Sequence, residues 1–471
     1  MARKMSKAEK NKARYIELNT LKRPLNEKEE TELRFLEKQL EAAERIAQFK
    51  KNQAEPYASK RSRAVNLAWE FYRNIDIDGQ CYVAVGGLDS ITLYLFLRSI
   101  GIDVPAVSVS SLEDRSIQKV HKALGVIPLK SAKDANGRTY NKTRVIQDFG
   151  WPVISKEVAG KISHLQHPTE DNATVRHAII TGETGAQGGW QKESKMQLKK
   201  RWLKLFGGAD PEGEELGYAA AEFLVSDRCC YYLKEKPCDD YHRETGRWPY
   251  MGLMASEGGR REKALAVNGC NYISKTTRRS APFATFLRQD ILTLALEMDE
   301  WYQENYHLFP GEKLDTIIPA IYGKIITDEK GQLQTTDAQR TGCSMCGFGI
   351  HMEQRPHRFD LLWERNPKEW EFWMTRVAQD AEGNWYGWGR VLDYIGVRWT
   401  HPEVYIEAKR ASEAIDQVSL FDACEDRCIV TPSLFCRNKP CTEAQGVKCC
   451  GACPFSETCK SKCDRFRRDE K

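Results

Sequence analysis

Short apolar runs alternate with a helical pattern in the region that begins near residue 65. Cys81–Val85 is a continuous apolar run with the length of a buried strand, and Val104–Val109 is a second, β-branched run. Between them, Ile91–Arg98 has the composition of a helix. Strands that alternate with helices predict an α/β fold with a parallel sheet, and ligands bind such sheets at the carboxyl ends of their strands.

The first 63 residues follow a helical period and predict two helices. Pro24 separates the two, and Asn26 with Glu29 forms a capping pattern at the start of the second. The first helix is basic, so it either packs as a solvated arm on the body or on another subunit, or contacts nucleic acid. The second helix carries an apolar stripe of Leu33, Leu36, Leu40, Ala43 and Ala47.

A second basic stretch, Gln191–Phe206, follows the glycine-rich segment Gly182–Gly189. We interpret this stretch as an insertion on the active-site side of the sheet, and we expect the glycine-rich segment to be mobile. Its lysines either form the solvated face of a surface helix or hold a polyanion.

The composition is that of a globular chain with a substantial core, since 41% of the 471 residues are hydrophobic and 29% are charged. The formal net charge of +5 is small, so any nucleic-acid surface has to be local. No apolar stretch reaches membrane-spanning length, and the basic N-terminus lacks the apolar segment of a signal peptide. These features predict a cytoplasmic protein without a membrane partner.

A glycine-rich turn follows the first apolar run. Gly86 and Gly87 come directly after it, and Asp89 and Ser90 follow. Glycine lets backbone N–H groups approach phosphate oxygens closely, while Asp and Ser side chains bind Mg²⁺ or phosphate. The turn is therefore either a phosphate-binding loop or an ordinary helix N-cap after a strand.

Sixteen cysteines are many for a chain in a reducing compartment, where clustered thiols bind metal more often than they form disulfides. In the body of the chain, the pair Cys229 and Cys230 precedes a Cys-x-x-Cys motif formed by Cys343 and Cys346. Four thiolates suit a [4Fe–4S] cluster or a structural zinc ion. The residues alone leave an iron–sulfur cluster, zinc and no metal open.

Nine of the sixteen cysteines fall between Cys424 and Cys463, which marks residues 410–471 as a separate cysteine-rich module. Spacings within it suit four-cysteine zinc sites. The main site consists of Cys450, Cys453, Cys459 and Cys463, and a possible second site consists of Cys424, Cys428, Cys436 and Cys441. We therefore expect zinc in this tail, with a second iron–sulfur cluster as the alternative.

Several of these segments together resemble a known superfamily. The loop Val85–Ser90 resembles the SGGxDS loop of the PP-loop ATP pyrophosphatases, which include phosphoadenosine phosphosulfate (PAPS) reductases and sulfur-inserting enzymes. Later segments are similar to those of PAPS-reductase-like proteins of phage and prophage type, in the same order. They are Pro152–Glu157, Ser226–Cys230, Leu233–Pro237, Met254–Glu257, Gly269–Asn271 and Thr341–Gly349. The resemblance covers roughly residues 65–400.

The resemblance implies a PP-loop domain over residues 64–400, between a helical basic arm (1–63) and the tail (410–471). It implies that Gly86, Gly87, Asp89 and Ser90 bind Mg²⁺ and ATP or a PAPS-like nucleotide, with Asp89 and Ser90 in catalytic roles. It also implies a cluster like that of the iron–sulfur adenylylsulfate reductases. Four of the five cysteines Cys229, Cys230, Cys270, Cys343 and Cys346 would hold it, because Cys270 also lies in a family-like motif.

Two loop positions depart from the family pattern. Val85 replaces a serine and Leu88 replaces a common lysine, so that a hydroxyl and a cation near the phosphates are missing. A lost hydrogen bond to a charged phosphate costs roughly 1.5–3 kcal/mol. Basic residues elsewhere either compensate for this loss or are ordinary surface charges; they are Lys156, Arg260, Arg261, Arg278 and Arg279. A loop that has lost catalysis is the alternative.

The resemblance implies an enzyme that transfers sulfur or activates a substrate with a nucleotide, with DNA or RNA as one expected acceptor. A sulfur donor such as a cysteine desulfurase is an expected partner. The chain lacks the ECGLH-like motif of thiol-dependent sulfonucleotide reductases, which argues against sulfate assimilation but leaves a sulfonucleotide reductase as an alternative. The other alternative is a catalytically degenerate PP-loop protein that serves as a nucleic-acid-binding module.

Overall fold

A computed structural model describes residues 7–109, 111, 113–186, 189–191, 194–207, 221–337, 343 and 345–399. The chain divides into two compact units, one up to Gly347 and one from Phe348. The tail, with the eight cysteines assigned to its two zinc sites, lies outside the described residues. None of the helices in the described ranges is long and apolar enough to cross a membrane.

The first unit combines many helices with short strands. Its first helices and strands are α1 (Lys7–Asn19), α2 (Glu27–Gln53), α3 (Tyr57–Tyr72), β1 (Cys81–Ala84), α4 (Leu88–Ser99), β2 (Ala106–Ser108), α5 (Arg115–Ala123), β3 (Ile127–Pro128), α6 (Lys142–Phe149), β4 (Val153–Ile154), α7 (Lys156–Gln166), α8 (Ala173–Thr181), β5 (Thr184–Ala186), β6 (Gly189–Gln191) and α9 (Lys200–Phe206). They are followed by α10 (Arg228–Cys230), α11 (Lys236–Thr245), β7 (Trp248–Tyr250), α12 (Gly259–Asn268), β8 (Asn271–Ile273), β9 (Arg278–Ser280), α13 (Arg288–Asn305), α14 (Pro319–Tyr322), β10 (Ile325–Thr327) and β11 (Leu333–Thr335).

The central sheet has six strands in the order β3-β2-β1-β7-β9-β8. Every neighbouring pair is parallel except β8 and β9, which are antiparallel. Val83 of β1 lies opposite Ala106 of β2 on one side and Tyr250 of β7 on the other. The fold is therefore α/β with a mixed, mostly parallel sheet, and the carboxyl ends of β2, β1, β7 and β9 lie side by side at one edge.

The predicted strand–helix alternation is confirmed, with shifted boundaries. The first strand ends at Ala84, and the helix after it begins at Leu88, three residues before the expected Ile91. Asp89 in its first turn is favourable there because helix N-termini attract negative charge. Most of α4 is buried, which fits its almost continuous apolar sequence.

The N-terminal helices confirm the predicted cap and part of the predicted apolar stripe. The capping pattern is confirmed, since the Asn26 side chain accepts from the Glu29 N–H at 2.9 Å and the Glu29 carboxylate accepts from the Asn26 N–H at 3.0 Å. The stripe holds only in part, because Leu36 is buried but Ala43 and Ala47 are exposed. The end of α2 instead uses Phe49, which packs in a small core with α12.

The glycine-rich segment contains an antiparallel pair, β5 and β6, joined through residues outside the described ranges. In the basic stretch, only Lys200–Phe206 forms a helix. Trp202, Leu203 and Phe206 are buried there, while Lys200 and Lys204 are exposed. The amphipathic pattern thus gives a short helix with a solvated basic face.

A strand, β12 (Gly347–Phe348), lies at the unit boundary, and the second unit continues with three helices and a hairpin. They are α15 (Arg358–Arg365), α16 (Pro367–Thr375), β13 (Ala378–Gln379), β14 (Trp385–Tyr386) and α17 (Trp388–Tyr394). Its core is aromatic, with Trp388 fully buried and its ring centroid 5.2 Å from that of Phe359. Trp385, at the hairpin, is 56% exposed.

Candidate functional site

The glycine-rich turn lies between the end of β1 and the start of α4. The Gly86 N–H donates to the Ser90 Oγ at 2.8 Å, and this hydroxyl donates to the Gly87 carbonyl oxygen at 3.1 Å. The Leu88 N–H donates to the Tyr322 hydroxyl at 2.7 Å. Ser90 thus closes the turn on itself, and two N–H groups of the turn already have partners within the protein.

Loops from neighbouring strands surround this turn. Gly252, after β7, approaches so closely that a Cβ atom there would lie 2.8 Å from the Ser90 nitrogen, so only glycine fits. On the other side, His121 of α5 places its Nε2 3.0 Å from the Gly86 carbonyl oxygen. Glu113, from the loop after β2, lies with Oε1 3.8 Å from where a Cβ on Gly86 would be. The turn therefore occupies the strand-end position where parallel sheets bind ligands.

A cation that no motif indicated lies beside Asp89. Arg288, the first residue of α13, places its Nη1 3.7 Å from the Asp89 Oδ1. It follows β9, whose neighbour in the sheet is β7, so the strand order explains how a residue about 200 positions away reaches the turn. A sequence search around the loop itself could not have found it.

An ion pair joins the surroundings of the turn to the cysteines. Lys234 Nζ lies 2.6 Å from the Glu113 Oε1, and the Glu113 side chain is only 4% exposed. The charges of Lys234 and Cys343 also act on each other. Burial lowers the pKa of Lys234, but the charges of Cys343 and Glu113 outweigh it, so the net shift is upward. One ammonium group therefore stays charged, pairs with Glu113 beside the turn and acts electrostatically on Cys343.

Four of the five cysteines expected at a cluster share one environment. The charges of Cys343 and Cys346 act on both Cys229 and Cys230. The Cys346 N–H donates to the Cys343 carbonyl oxygen at 3.2 Å, which closes the Cys-x-x-Cys turn. Burial raises the pKa of Cys229 and of Cys230 to about 12, and it raises the pKa of Cys343 as well.

Positive charges of nearby lysines act on these thiols. The charge of Lys142 acts on Cys229 and Cys343, and the charge of Lys156 acts on Cys230. Such cations suit a four-thiolate metal site, because deprotonated thiols bring negative charge into a buried region. In the described ranges, however, no group of three or more Cys, His, Asp or Glu side chains has the spacing to hold a metal ion. The donors thus fit a cluster in type, number and charge, while their spacing is wider than coordination requires.

The structure does not place Cys270 with these four cysteines. It packs against a small core that includes Phe49 and Leu265. Burial raises the pKa of Cys270 to about 11, and the charges that act on it come from Arg63 and Glu70. Of the five candidate ligands, Cys270 is therefore the one that lies apart, whereas both thiols of the vicinal pair share the environment of Cys343 and Cys346.

A π-helical turn that follows the cysteine pair contains Lys234. Residues Tyr231–Glu235 form this turn within a helical stretch that runs from Arg228 to Thr245, and the Lys236 N–H donates to the Tyr231 carbonyl oxygen. Pro237 lies inside this stretch and supplies no N–H, so a regular α-helical ladder cannot pass through it. Proline at this position was the sequence signal for an irregular helix. Single π turns often occur at functional sites.

Most of the basic residues expected to compensate at the phosphates are engaged by other side chains. The partners are Glu235 for Lys156, Glu257 for Arg261, the Trp248 ring (5.0 Å to its centroid) for Arg278 and the Tyr272 ring (5.4 Å) for Arg279. The side chain of Arg260 is outside the description. Arg288 and Lys234 are the cations that the structure does place around the turn.

No protein-family model matches this chain, and no curated protein matches it. The fold and the site define a mostly parallel α/β protein that has a glycine-rich turn at its strand ends and four buried or half-buried cysteines in one shared environment.

Proposed function

We propose that this chain is a PAPS-reductase-like PP-loop enzyme that binds an adenine nucleotide with Mg²⁺ at Gly86–Ser90 and a [4Fe–4S] cluster at four cysteines. The cluster ligands are Cys229, Cys230, Cys343 and Cys346. The enzyme acts in sulfur transfer or nucleotide-dependent activation, with nucleic acid as acceptor and a cysteine desulfurase as one source of sulfur. The observation that carries this proposal is Lys234, whose ammonium group lies 2.6 Å from Glu113 beside the turn and whose charge acts on Cys343.

In this proposal the turn binds phosphate through backbone N–H groups at the start of α4, where the helix dipole favours an anion. Asp89 shares Mg²⁺ with the phosphates. Arg288, 3.7 Å from Asp89, supplies positive charge that the substitution of lysine by Leu88 removed. Ser90 holds the turn in shape through Gly86 and Gly87.

The cluster, when bound, supplies a sulfur-rich centre that takes part in sulfur transfer. Lys142, Lys156 and Lys234 offset its negative charge. Lys234 also neutralises Glu113, whose carboxylate would otherwise repel a phosphate at Gly86. These residues therefore allow two anionic ligands to bind near each other in a buried region.

One observation favours the second candidate, a degenerate loop in a nucleic-acid-binding protein. The N–H groups of Gly86 and Leu88 already donate within the protein, at 2.8 and 2.7 Å. A phosphate would have to use the remaining N–H groups or displace these bonds. This candidate predicts salt-sensitive binding of DNA or RNA that Asp89→Ala leaves unchanged.

The test compares Lys234→Met with Lys236→Met in protein purified without oxygen. Lys236 lies on the same helical stretch and pairs with Asp240 at 3.1 Å, so its loss controls for removal of a lysine. We expect Lys234→Met to weaken ATP or PAPS binding at least tenfold in isothermal titration and to lower the iron content, because Glu113 and the cluster both lose their counter-charge. Lys236→Met should behave like the wild type.

Two results would contradict the proposal. One is that the wild-type protein binds none of ATP, PAPS and related adenine nucleotides. The other is that Lys234→Met and Lys236→Met bind nucleotide and iron equally well, because the contact between loop and cluster would then have no function.

A further inference from the structure

A cavity of about 600 Å³ opens beside the helical stretch that carries the cysteine pair. Its walls are the end of α6, one face of α7 and the segment 226–235, and it does not include the turn at Gly86. Its volume is within the usual range for pockets that bind small ligands, about 300–1,000 Å³. Lys156 and Glu235, an ion pair on its wall, also act electrostatically on the Cys230 thiol, so the cavity adjoins the cysteines.

Aromatic rings form one side of this cavity. Phe149 and Tyr232 are stacked with their centroids 4.7 Å apart and an interplanar angle of 19°. Tyr231 stands edge-on to Tyr232 at 5.1 Å and is 37% exposed. The exposed Tyr231 ring therefore offers a face on which another planar ring can stack, while Phe149 and Tyr232 support it from behind.

The polar groups of the cavity suit a planar ligand that carries an anion. The Arg228 guanidinium lies 6.0 Å from the Tyr231 ring centroid, and within the described ranges it forms no ion pair. The Asp227 carboxylate faces Gly160, with Oδ2 3.4 Å from where a Cβ atom would lie. Arginine recognises phosphate with two parallel hydrogen bonds, and a carboxylate accepts hydrogen bonds from amino groups of a base.

Gly160 indicates that this space is kept open. It lies within α7, where glycine costs about 1 kcal/mol relative to alanine. Its backbone is helical, so its own conformation does not call for glycine. The absence of a side chain therefore has a local reason, which is room on the cavity face beside Asp227.

We propose that this cavity binds one nucleotide unit of the acceptor, with the base stacked on the exposed ring of Tyr231 and the phosphate held by Arg228. Asp227 accepts a hydrogen bond from the base edge. The assignment of this unit as the acceptor of sulfur rests on the proposed function, whereas the binding itself does not.

The exposed basic face of α9 supports binding of a polyanion. This helix packs on α7, and its lysines Lys200 and Lys204 face solvent while its apolar residues are buried. Such a face attracts a phosphate backbone at low salt concentration.

The nucleotide unit can come from a free nucleotide or from a single-stranded nucleic acid. Both present the same ring and phosphate.

The experiment uses the full chain and two kinds of probe, the four deoxynucleoside 5′-monophosphates and a short mixed-sequence single-stranded oligonucleotide. We expect Tyr231→Ala to weaken binding roughly tenfold, the usual order for loss of one stacking ring. Arg228→Ala should lower both the affinity and the salt dependence of oligonucleotide binding. Gly160→Leu, which fills the cavity and favours the helix, should abolish binding. The control is Tyr306→Ala, because Tyr306 is likewise exposed (41%) and carries a cation, Lys313, 4.4 Å from its ring.

A parallel titration with ATP separates this inference from the proposed function. The cavity variants should leave the Ser90-dependent part of ATP binding unchanged, and Ser90→Ala should weaken ATP binding but not oligonucleotide binding. If no ATP binds to the wild type while Tyr231→Ala still weakens the oligonucleotide, the proposed function fails and the cavity assignment holds. Oligonucleotide binding that is equal in the wild type and the three cavity variants overturns the assignment, as does failure of both kinds of probe to bind. Binding of the oligonucleotide alone identifies nucleic acid as the source, and equal binding of monophosphates identifies free nucleotide.

Discussion

His121 is buried on α5, and its Nε2 lies 3.0 Å from the carbonyl oxygen of Gly86. Burial lowers the pKa of His121, and the hydrogen bond to Gly86 and the charge of Glu113 only partly offset this effect. The neutral imidazole therefore holds the glycine-rich turn in the folded protein. This single contact links the stability of the turn to pH.

Between the lowered folded pKa and the unfolded value of about 6.5, the unfolded chain binds more protons at this site than the folded chain. The free energy of unfolding should therefore rise with pH across this window, by at most about 1.4 kcal/mol per pH unit from this one group. We predict that His121→Gln flattens this slope, as measured by urea unfolding at a series of pH values. His307→Gln, at an exposed position, is the control, and an unchanged slope in His121→Gln would contradict the prediction.

Between elements, a buried ion pair joins α3 to α13. Lys60 Nζ lies 2.7 Å from Asp290 Oδ2, with the two side chains 2% and 11% exposed. The same carboxylate oxygen accepts from the Leu287 N–H at 2.7 Å, so Asp290 also caps α13. Removal of one partner leaves the other charge buried and unpaired, which is far more costly than loss of an exposed pair.

We predict that Lys60→Met lowers the free energy of unfolding by about 3 kcal/mol, measured by chemical denaturation. Arg61→Met is the matched control, because Arg61 is the next residue on α3 and pairs with Glu297 of α13 at 2.9 Å, but with both side chains more than one-third exposed. Its loss should cost at most about 1 kcal/mol. Similar losses in the two variants would show that burial does not govern this pair.

The sequence predicted those elements whose signal is local. The strand at Cys81, the helix after it and the cap at Asn26 all follow from residues within a few positions of each other. The stripe on α2 was only partly right because its end is defined by contact with α12, more than 200 residues away. The π turn at Tyr231–Glu235 was not predicted. Its only local signal is Pro237, which interrupts an otherwise regular helical pattern.

At the scale of the whole molecule, the motifs predicted the segments of the candidate site but not the contacts between them. The turn and the four cysteines were visible as separate patterns. That Glu113 and Lys234 connect them, and that Arg288 reaches Asp89, depends on which strands are neighbours in the sheet. The position of Cys270, away from the other four cysteines, also depends on the tertiary fold. Its sequence motif gave no reason to separate it from them.

Metal content tests the two proposed cysteine sites separately in the full chain. We predict about four irons and four sulfides per chain for a [4Fe–4S] cluster in protein purified without oxygen, together with zinc. Cys343→Ser should lose iron and keep zinc, whereas Cys453→Ser should lose zinc and keep iron. The measurement is iron, sulfide and zinc analysis beside the visible absorption spectrum. A colourless wild-type protein with zinc alone would contradict the cluster.

The contact of Gly252 with the glycine-rich turn has a consequence for how a ligand arrives. Because no methyl group fits between Gly252 and the Asp89–Ser90 backbone, the turn cannot widen toward β7. In the proposed function, a ligand would bind to a turn whose shape is already set. The turn would then lose little conformational entropy on binding. Encounter with the turn, rather than closure of the turn, then limits the association rate, and electrostatic attraction of the ligand can raise this rate.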